Sequence, residues 1–315
     1  MLNVLSLTAP IYLLIAVGYV AVRLGWMAAP DIRVLGRFVV QFCVPALLFR
    51  AITRQPISQV IHVDYLVVYA AGSLLTLGSV LLFARGVRGA SMSLAAIQAL
   101  GAAGSNSMFI GYPLALQLIG PVAGVALALC TLVENLLVLP LILILASAGG
   151  GGQGAFAVLR TIVAGLVRNP MILAIGAGLL VSAAGITLHP VLDRAVGLAA
   201  AAAPPTALFV IGGSLVGLRL SGIRTDLAVV STGKLILHPL CVWLFLMLLP
   251  LADPQMRAAA LLFAAVPMIS VYPVLAQRYG HERFAAAALL AATVSSFVTI
   301  SVVIGLIPAE WTTGR

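Results

Sequence analysis

The chain has 315 residues, 63% of them hydrophobic and 8% charged, with a mean hydropathy of +1.19 and a formal net charge of +9. A water-soluble globule carries about 25% charged residues, so the composition excludes one, and with it a soluble catalytic domain. The basic excess predicts no nucleic-acid partner, because the charges follow a membrane pattern instead.

Ten apolar stretches, each about long enough to cross a bilayer, run through residues 4–22, 34–53, 63–84, 91–119, 122–146, 161–184, 196–218, 227–249, 256–279 and 284–307. They predict an all-α, multi-pass protein of the cell inner (plasma) membrane with ten transmembrane helices and lipids as neighbours. The start Met1-Leu2-Asn3 has no basic region, and its apolar run returns at 170–184, so the first stretch reads as structure rather than a secretion signal. If that stretch begins outside, twelve Lys and Arg fall on inner loops, Arg23, Arg85 and Arg88 among them. Five (Arg50, Arg54, Arg194, Arg257 and Arg315) fall on outer ones. This positive-inside bias puts both termini outside. Cys43, Cys130 and Cys241 all sit in apolar stretches, too far apart for a disulfide framework or a zinc site. No metal and no cofactor are expected.

The sequence repeats with a constant shift. Pro10 to Gly18 returns as Pro170 to Gly178, Pro45 to Phe49 as Pro205 to Phe209, and Tyr112, Pro113, Gln117 and Gly120 as Tyr272, Pro273, Gln277 and Gly280. Each subtraction (170−10, 205−45, 273−113, 280−120) gives 160. The domains are therefore residues 1–146, a first five-helix repeat, and 161–315, a second. The Gly-rich tether between them (147–160) is flexible by composition. Five spans are an odd number, so the second copy enters the membrane from the opposite side. Inverted repeats with interrupted helices point to a secondary transporter working by alternating access.

The fourth and ninth stretches carry the interruptions. In the fourth, Gly101, Gly104, Gly111 and Pro113 weaken the helix around Ser105, Asn106 and Ser107, which can bond freed backbone groups. In the ninth, Pro267 and Pro273 flank Ser270 and Tyr272. Lipid offers no hydrogen bonds, so unwound backbone survives only inside protein or beside a watery cavity. If the breaks meet, the half-helices starting near Pro113 and Pro273 aim N-termini and free N–H donors into one space, which favours an anion. The alternative is that each proline only kinks a continuous helix.

Ionisable groups in apolar stretches are costly, roughly 2.5–3.5 kcal/mol each at a helix centre. Glu134, beside Asn135, is either a proton carrier or structural glue. Lys234 and His238 share a helix face in the eighth stretch. Lys234 is expected to snorkel to the inner surface; His238 either relays protons or satisfies a carbonyl freed by Pro239. Gln41, one turn before Pro45, either lines the cavity or packs.

At these residues the chain resembles the auxin efflux carrier family, whose bacterial members are small organic-acid permeases. The marks are Phe42 to Phe49, Ser105-Asn106-Ser107 through Tyr112-Pro113, Asn169-Pro170, Lys234 to Pro239, and Pro267 to Gly280. The resemblance implies a scaffold of helices 1, 2, 6 and 7 and a transport domain of helices 3–5 and 8–10, with helices 4 and 9 crossing at the site. It places Asn106 as the polar support of the first crossover; in the second, only Ser270 and Tyr272 can serve. It implies carboxylate substrates such as an auxin-like acid, malonate or malate.

The bile-acid sodium symporters share the ten-helix plan but place an acidic residue in the second crossover. No Asp or Glu lies between Asp253 and Glu282 here, so H+ ranks above Na+ as the coupling ion. The expectation is a carrier whose site comprises Ser105, Asn106, Ser107, Tyr112, Pro113, Ser270, Tyr272, Pro273 and Gln41. Its coupling groups would be Glu134, Asn135, Lys234 and His238, and a homodimer partner is compatible. A channel or uniporter is the rival reading. An enzyme is not expected, since the four histidines (His62, His189, His238 and His281) are scattered.

Overall fold

The structure, a computed structural model, describes residues 2–148, 155–217 and 224–313. Among these the chain is all-helical, and its one strand-like pairing is an isolated antiparallel bridge between Ser105 and Met268. In chain order the helices are α1 (Leu2–Arg23), α2 (Ala29–Thr53), α3 (Val63–Leu82, continuing to Val87), α4 (Met92–Ala103) and α5 (Ser107–Ile119). Next come α6 (Val122–Ala148), α7 (Ala155–Val167), α8 (Pro170–Ala183), α9 (Pro190–Ser214) and α10 (Thr225–Leu248). The last are α11 (Pro254–Ala265), α12 (Tyr272–Gln277), α13 (Glu282–Leu306) and α14 (Glu310–Thr313). Helices α2, α3, α6, α9, α10 and α13 are long and apolar enough to cross a membrane; α4, α5, α8 and most of α1 are shorter apolar helices.

Prolines shape these helices in two ways. At helix starts they sit where a missing N–H costs nothing. Asn169 Oδ1 accepts from Met171 N (3.0 Å) ahead of α8, and Asp253 Oδ1 accepts from Gln255 N (2.8 Å) ahead of α11. Inside four helices they widen the preceding turn. Val39–Cys43, Ser107–Gly111, Glu134–Val138 and Gly233–Leu237 are each one π-turn, and each ends two residues before a proline: Pro45, Pro113, Pro140 or Pro239. The proline ring crowds the carbonyl one turn back, and the strained turn relaxes to bonds spanning five residues. Thus Leu139 N–H reaches Glu134 O, and His238 N–H reaches Gly233 O.

The helices pack as two groups. Helices α1, α2, α8 and α9 form one, with α1 against α9 and α8 against α2. A Cβ on Gly18 of α1 would strike the carbonyl oxygen of Phe209 on α9; one on Gly178 of α8 would meet the Phe49 carbonyl oxygen of α2 at 3.4 Å. Helices α3 to α6 and α10 to α13 form the other, with α10 against α3 at the Gly72–Val242 contact. Where the groups meet, Gly124 of α6 lies on Ala51 of α2. Gly120 ends α5 with φ +70° and Gly280 follows α12 with φ +77°, a conformation that glycine alone adopts without strain.

The structure corrects the expected sixth span, 161–184. Helix α7 stops at Val167, and Asn169-Pro170 opens α8 as a separate helix, because an asparagine cap followed by proline starts a helix rather than continuing one. Residues 149–154 of the Gly-rich tether, together with Arg219 and Arg315, lie outside the described residues.

Candidate functional site at the crossing of two broken helices

Helix α4 ends at Ala103 and α11 at Ala265, and each continues as extended backbone: Gly104 has φ −78°, ψ 130° and Val266 φ −70°, ψ 158°. The two extended segments meet. Ser105 pairs with Met268, and Asn106 N–H donates to Pro267 O at 2.8 Å. Each break thereby satisfies part of the other's exposed backbone, as an apolar environment requires. The Asn106 side chain closes the join: Oδ1 accepts from Phe109 N at 3.3 Å, and Nδ2 donates to Ser270 Oγ at 2.7 Å. Asn106 and Ser107 are buried.

Ser105 is the hub of a second, charged layer. Its N–H donates to Glu134 Oε1 (3.0 Å), and its Oγ accepts from Lys234 Nζ (2.6 Å) and from the Tyr69 hydroxyl (3.2 Å). Glu134 Oε1 also accepts from Ser107 Oγ (3.1 Å) and the Tyr69 hydroxyl (3.4 Å). All three contacts fall on one carboxylate oxygen; Oε2 has no hydrogen-bond partner among the described residues, and the residue is only partly buried.

Lys234 is fully buried, against the expectation that it would snorkel. The reason is local. Its ammonium has three donors, and three acceptors await them: Ser105 Oγ, His238 Nδ1 (2.7 Å) and Ala264 O (2.9 Å). With Nδ1 accepting, His238 is a neutral imidazole whose Nε2–H donates to Ser73 Oγ at 3.1 Å. A charge at this depth is tolerated because its donors are satisfied and a carboxylate lies across Ser105.

The remaining expected residues divide. Tyr272 is buried with its hydroxyl on Ile97 O (2.9 Å) and its ring against Gly101, so it pins α12 to α4 and does not face the join. Tyr112 and Pro113 start the regular turns of α5, and Pro273 those of α12; Tyr112 is half-buried, its hydroxyl without a hydrogen-bond partner among the described residues. Asn135 joins no part of the charged layer directly: Nδ2 donates to Thr131 O (2.9 Å), and Oδ1 accepts from Asn169 Nδ2 (3.1 Å). Gln41 is exposed in the π-turn of α2 and bonds to none of these groups. Sequence reasoning missed Tyr69, Ser73 and Cys130, whose Sγ donates to Ser107 Oγ at 3.3 Å. The available signal was Tyr65, Tyr69 and Ser73 at intervals of four, a polar stripe down one face of α3.

The profile of a family described as membrane transport protein matches residues 3–304. The chain belongs to that family. A relative from Rhizobium meliloti (strain 1021), named "Putative malonate transporter", is 30% identical over 314 residues, covering 98% of this chain and 97% of its own. The family makes this protein a membrane transporter and not an enzyme, and its match spans both broken helices and every member of the charged layer.

Proposed function

We propose that the protein carries a small organic anion, a carboxylate of the malonate kind, by alternating access, and binds it where the two breaks cross. The single observation that carries this is the Asn106–Ser270 hydrogen bond between the breaks. Both side chains can turn toward a ligand; a carboxylate that displaced the bond would gain an amide and a hydroxyl donor beside the first turn of α5. Such charge-assisted bonds are worth about 1.5–3 kcal/mol each. The relative named for malonate supports the substrate class.

In this reading α4 with α5, and α11 with α12, each make one broken span, and the chain crosses the inner membrane ten times with both termini outside. The halves are inverted repeats. Support comes from contacts that the shift of 160 exchanges: Gly18 with Phe209, and Gly178 with Phe49 (18+160=178, 209−160=49). Helices α1, α2, α8 and α9 are the scaffold, and the other group moves with the site. Glu134, with one oxygen open, carries the coupling proton. Sodium is disfavoured because the Lys234 ammonium already occupies a nest of acceptors at the crossover and acts as a resident cation.

The test is Asn106→Ala in proteoliposomes. Uptake of radiolabelled malonate is expected to fall roughly tenfold to a hundredfold, and the thermal shift given by malonate is expected to vanish while the unliganded melting temperature holds. Uptake at the wild-type rate would refute the site.

A further inference from the structure

Two side-chain hydrogen bonds between the helix groups lie at places that the shift of 160 brings within a turn of each other. At the first, Asn169 Nδ2, at the start of α8, donates to Asn135 Oδ1 on α6 at 3.1 Å. At the second, the Tyr12 hydroxyl of α1 bonds Ser296 Oγ of α13 at 3.3 Å, with the Tyr12 ring edge-on to Phe297 at 4.8 Å. The shift carries Asn135 to position 295 (135+160) and Asn169 to position 9 (169−160). Those positions are one residue from Ser296 and one turn from Tyr12.

The chemistry also matches. Asn135 Nδ2 donates to Thr131 O, four residues back on its own helix, at 2.9 Å. Ser296 Oγ donates to Thr293 O, three residues back, at 2.7 Å. In both places the acceptor is anchored by its own backbone, so the donor comes from the other group; with its proton on Thr293 O, Ser296 Oγ can only accept from Tyr12. Both bonds are part-buried, where water competes poorly for the donors.

We propose that these bonds are paired latches: they hold the two groups in the arrangement seen here, and both must open for the group bearing the crossover to move. This rests on the two-group motion proposed above. The first latch adjoins the widened turn that begins with Glu134, so the stationary group grips the moving one next to the coupling carboxylate.

Double-cysteine variants Asn135→Cys/Asn169→Cys and Tyr12→Cys/Ser296→Cys test it, bridged with a short bis-methanethiosulfonate, whose disulfide links to the two thiols are reopened with reductant. Cross-linking either pair is expected to abolish malonate uptake, with recovery on reduction, while the malonate thermal shift persists. Full uptake with cross-linking complete by intact mass would overturn the latches. It would leave the binding site standing as long as Asn106→Ala is inactive. Should a cysteine pair fail to fold, Tyr12→Phe keeps the ring on Phe297 and removes only the bond. Its malonate exchange rate is expected to rise about fivefold, the equivalent of about 1 kcal/mol, and an unchanged rate would equally overturn the second latch.

Discussion

Lys234 shows how a single residue ties stability to the site. It is fully buried, its three donors are taken, and its counter-charge, Glu134, lies on the far side of Ser105. Removing one member of a fully buried, compensated pair strands the other at a cost of about 3–5 kcal/mol, an upper bound here because Glu134 is half-buried, whereas replacing both by uncharged groups is often nearly neutral. Lys234→Met is therefore expected to lower the melting temperature sharply. Lys234→Met/Glu134→Gln should recover more than half of that loss, though neither protein transports. The measurement is a thermal melt of the two single variants and the double. Additive losses would mean that the two charges do not compensate each other. The sequence made both residues visible, since a charge in an apolar stretch stands out. It hid which way Lys234 turns, because snorkelling and burial differ only in whether acceptors from other helices are waiting, and those come from Ser105 and Ala264, 129 and 30 residues away. Tyr69 and Ser73 stayed hidden for the converse reason: on an apolar helix, a tyrosine and a serine are uncharged, and only their spacing of four from Tyr65 marks them before their partners are known.

At the scale of elements, what matters is the π-turn ahead of four internal prolines, Pro45, Pro113, Pro140 and Pro239. Ser107, Glu134, Asn135 and Lys234 all lie in such turns, and Gln41 lies in another. A turn closed by five-residue bonds rotates its side chains relative to a regular helix and leaves a carbonyl short of a partner. Asn135 Nδ2 donates to a carbonyl of the turn before, that of Thr131. The prolines were legible in the sequence as breaks; the widening was not, since the same residues are compatible with a simple kink. Pro140, at the far end of the turn that begins with Glu134, separates the two effects. Pro140→Ala should let the turn tighten and rotate Glu134 away from Ser105 and Ser107. Removing an interior proline relieves up to about 3 kcal/mol in a soluble helix, so the melting temperature is expected to hold or rise. Malonate uptake should fall about tenfold, the scale of one lost charge-assisted bond. Wild-type uptake in that variant would mean the widened turn has no part in placing the carboxylate.

For the molecule as a whole, the shift of 160 was legible from prolines and glycines because these residues mark backbone geometry, which the two halves must share if they fold alike. The same shift now relates contacts and torsions as well. Gly25 and Gly185, 160 apart, adopt φ +77° and +61° just past α1 and α8, and Gly120 and Gly280 do likewise past α5 and α12. What the sequence could not convey is how the broken helices close on each other, since the bridge between Ser105 and Met268 spans the two halves. Orientation in the proposed arrangement follows from parity: were each half to cross five times, equivalent positions would lie on opposite faces of the membrane. Met27, just past the first helix, and Thr187, its equivalent past α8 (27+160=187), are the cleanest pair to ask. Met27→Cys and Thr187→Cys, each as the sole accessible thiol over buried Cys43, Cys130 and Cys241, should react differently with a membrane-impermeant maleimide in right-side-out vesicles. The thiol at 187 is expected to label at once and that at 27 only after permeabilisation, because the basic loops place the former outside and the latter inside. Labelling of both from one side would remove the inversion, and with it the two mirror-related states between which an alternating-access carrier has to move.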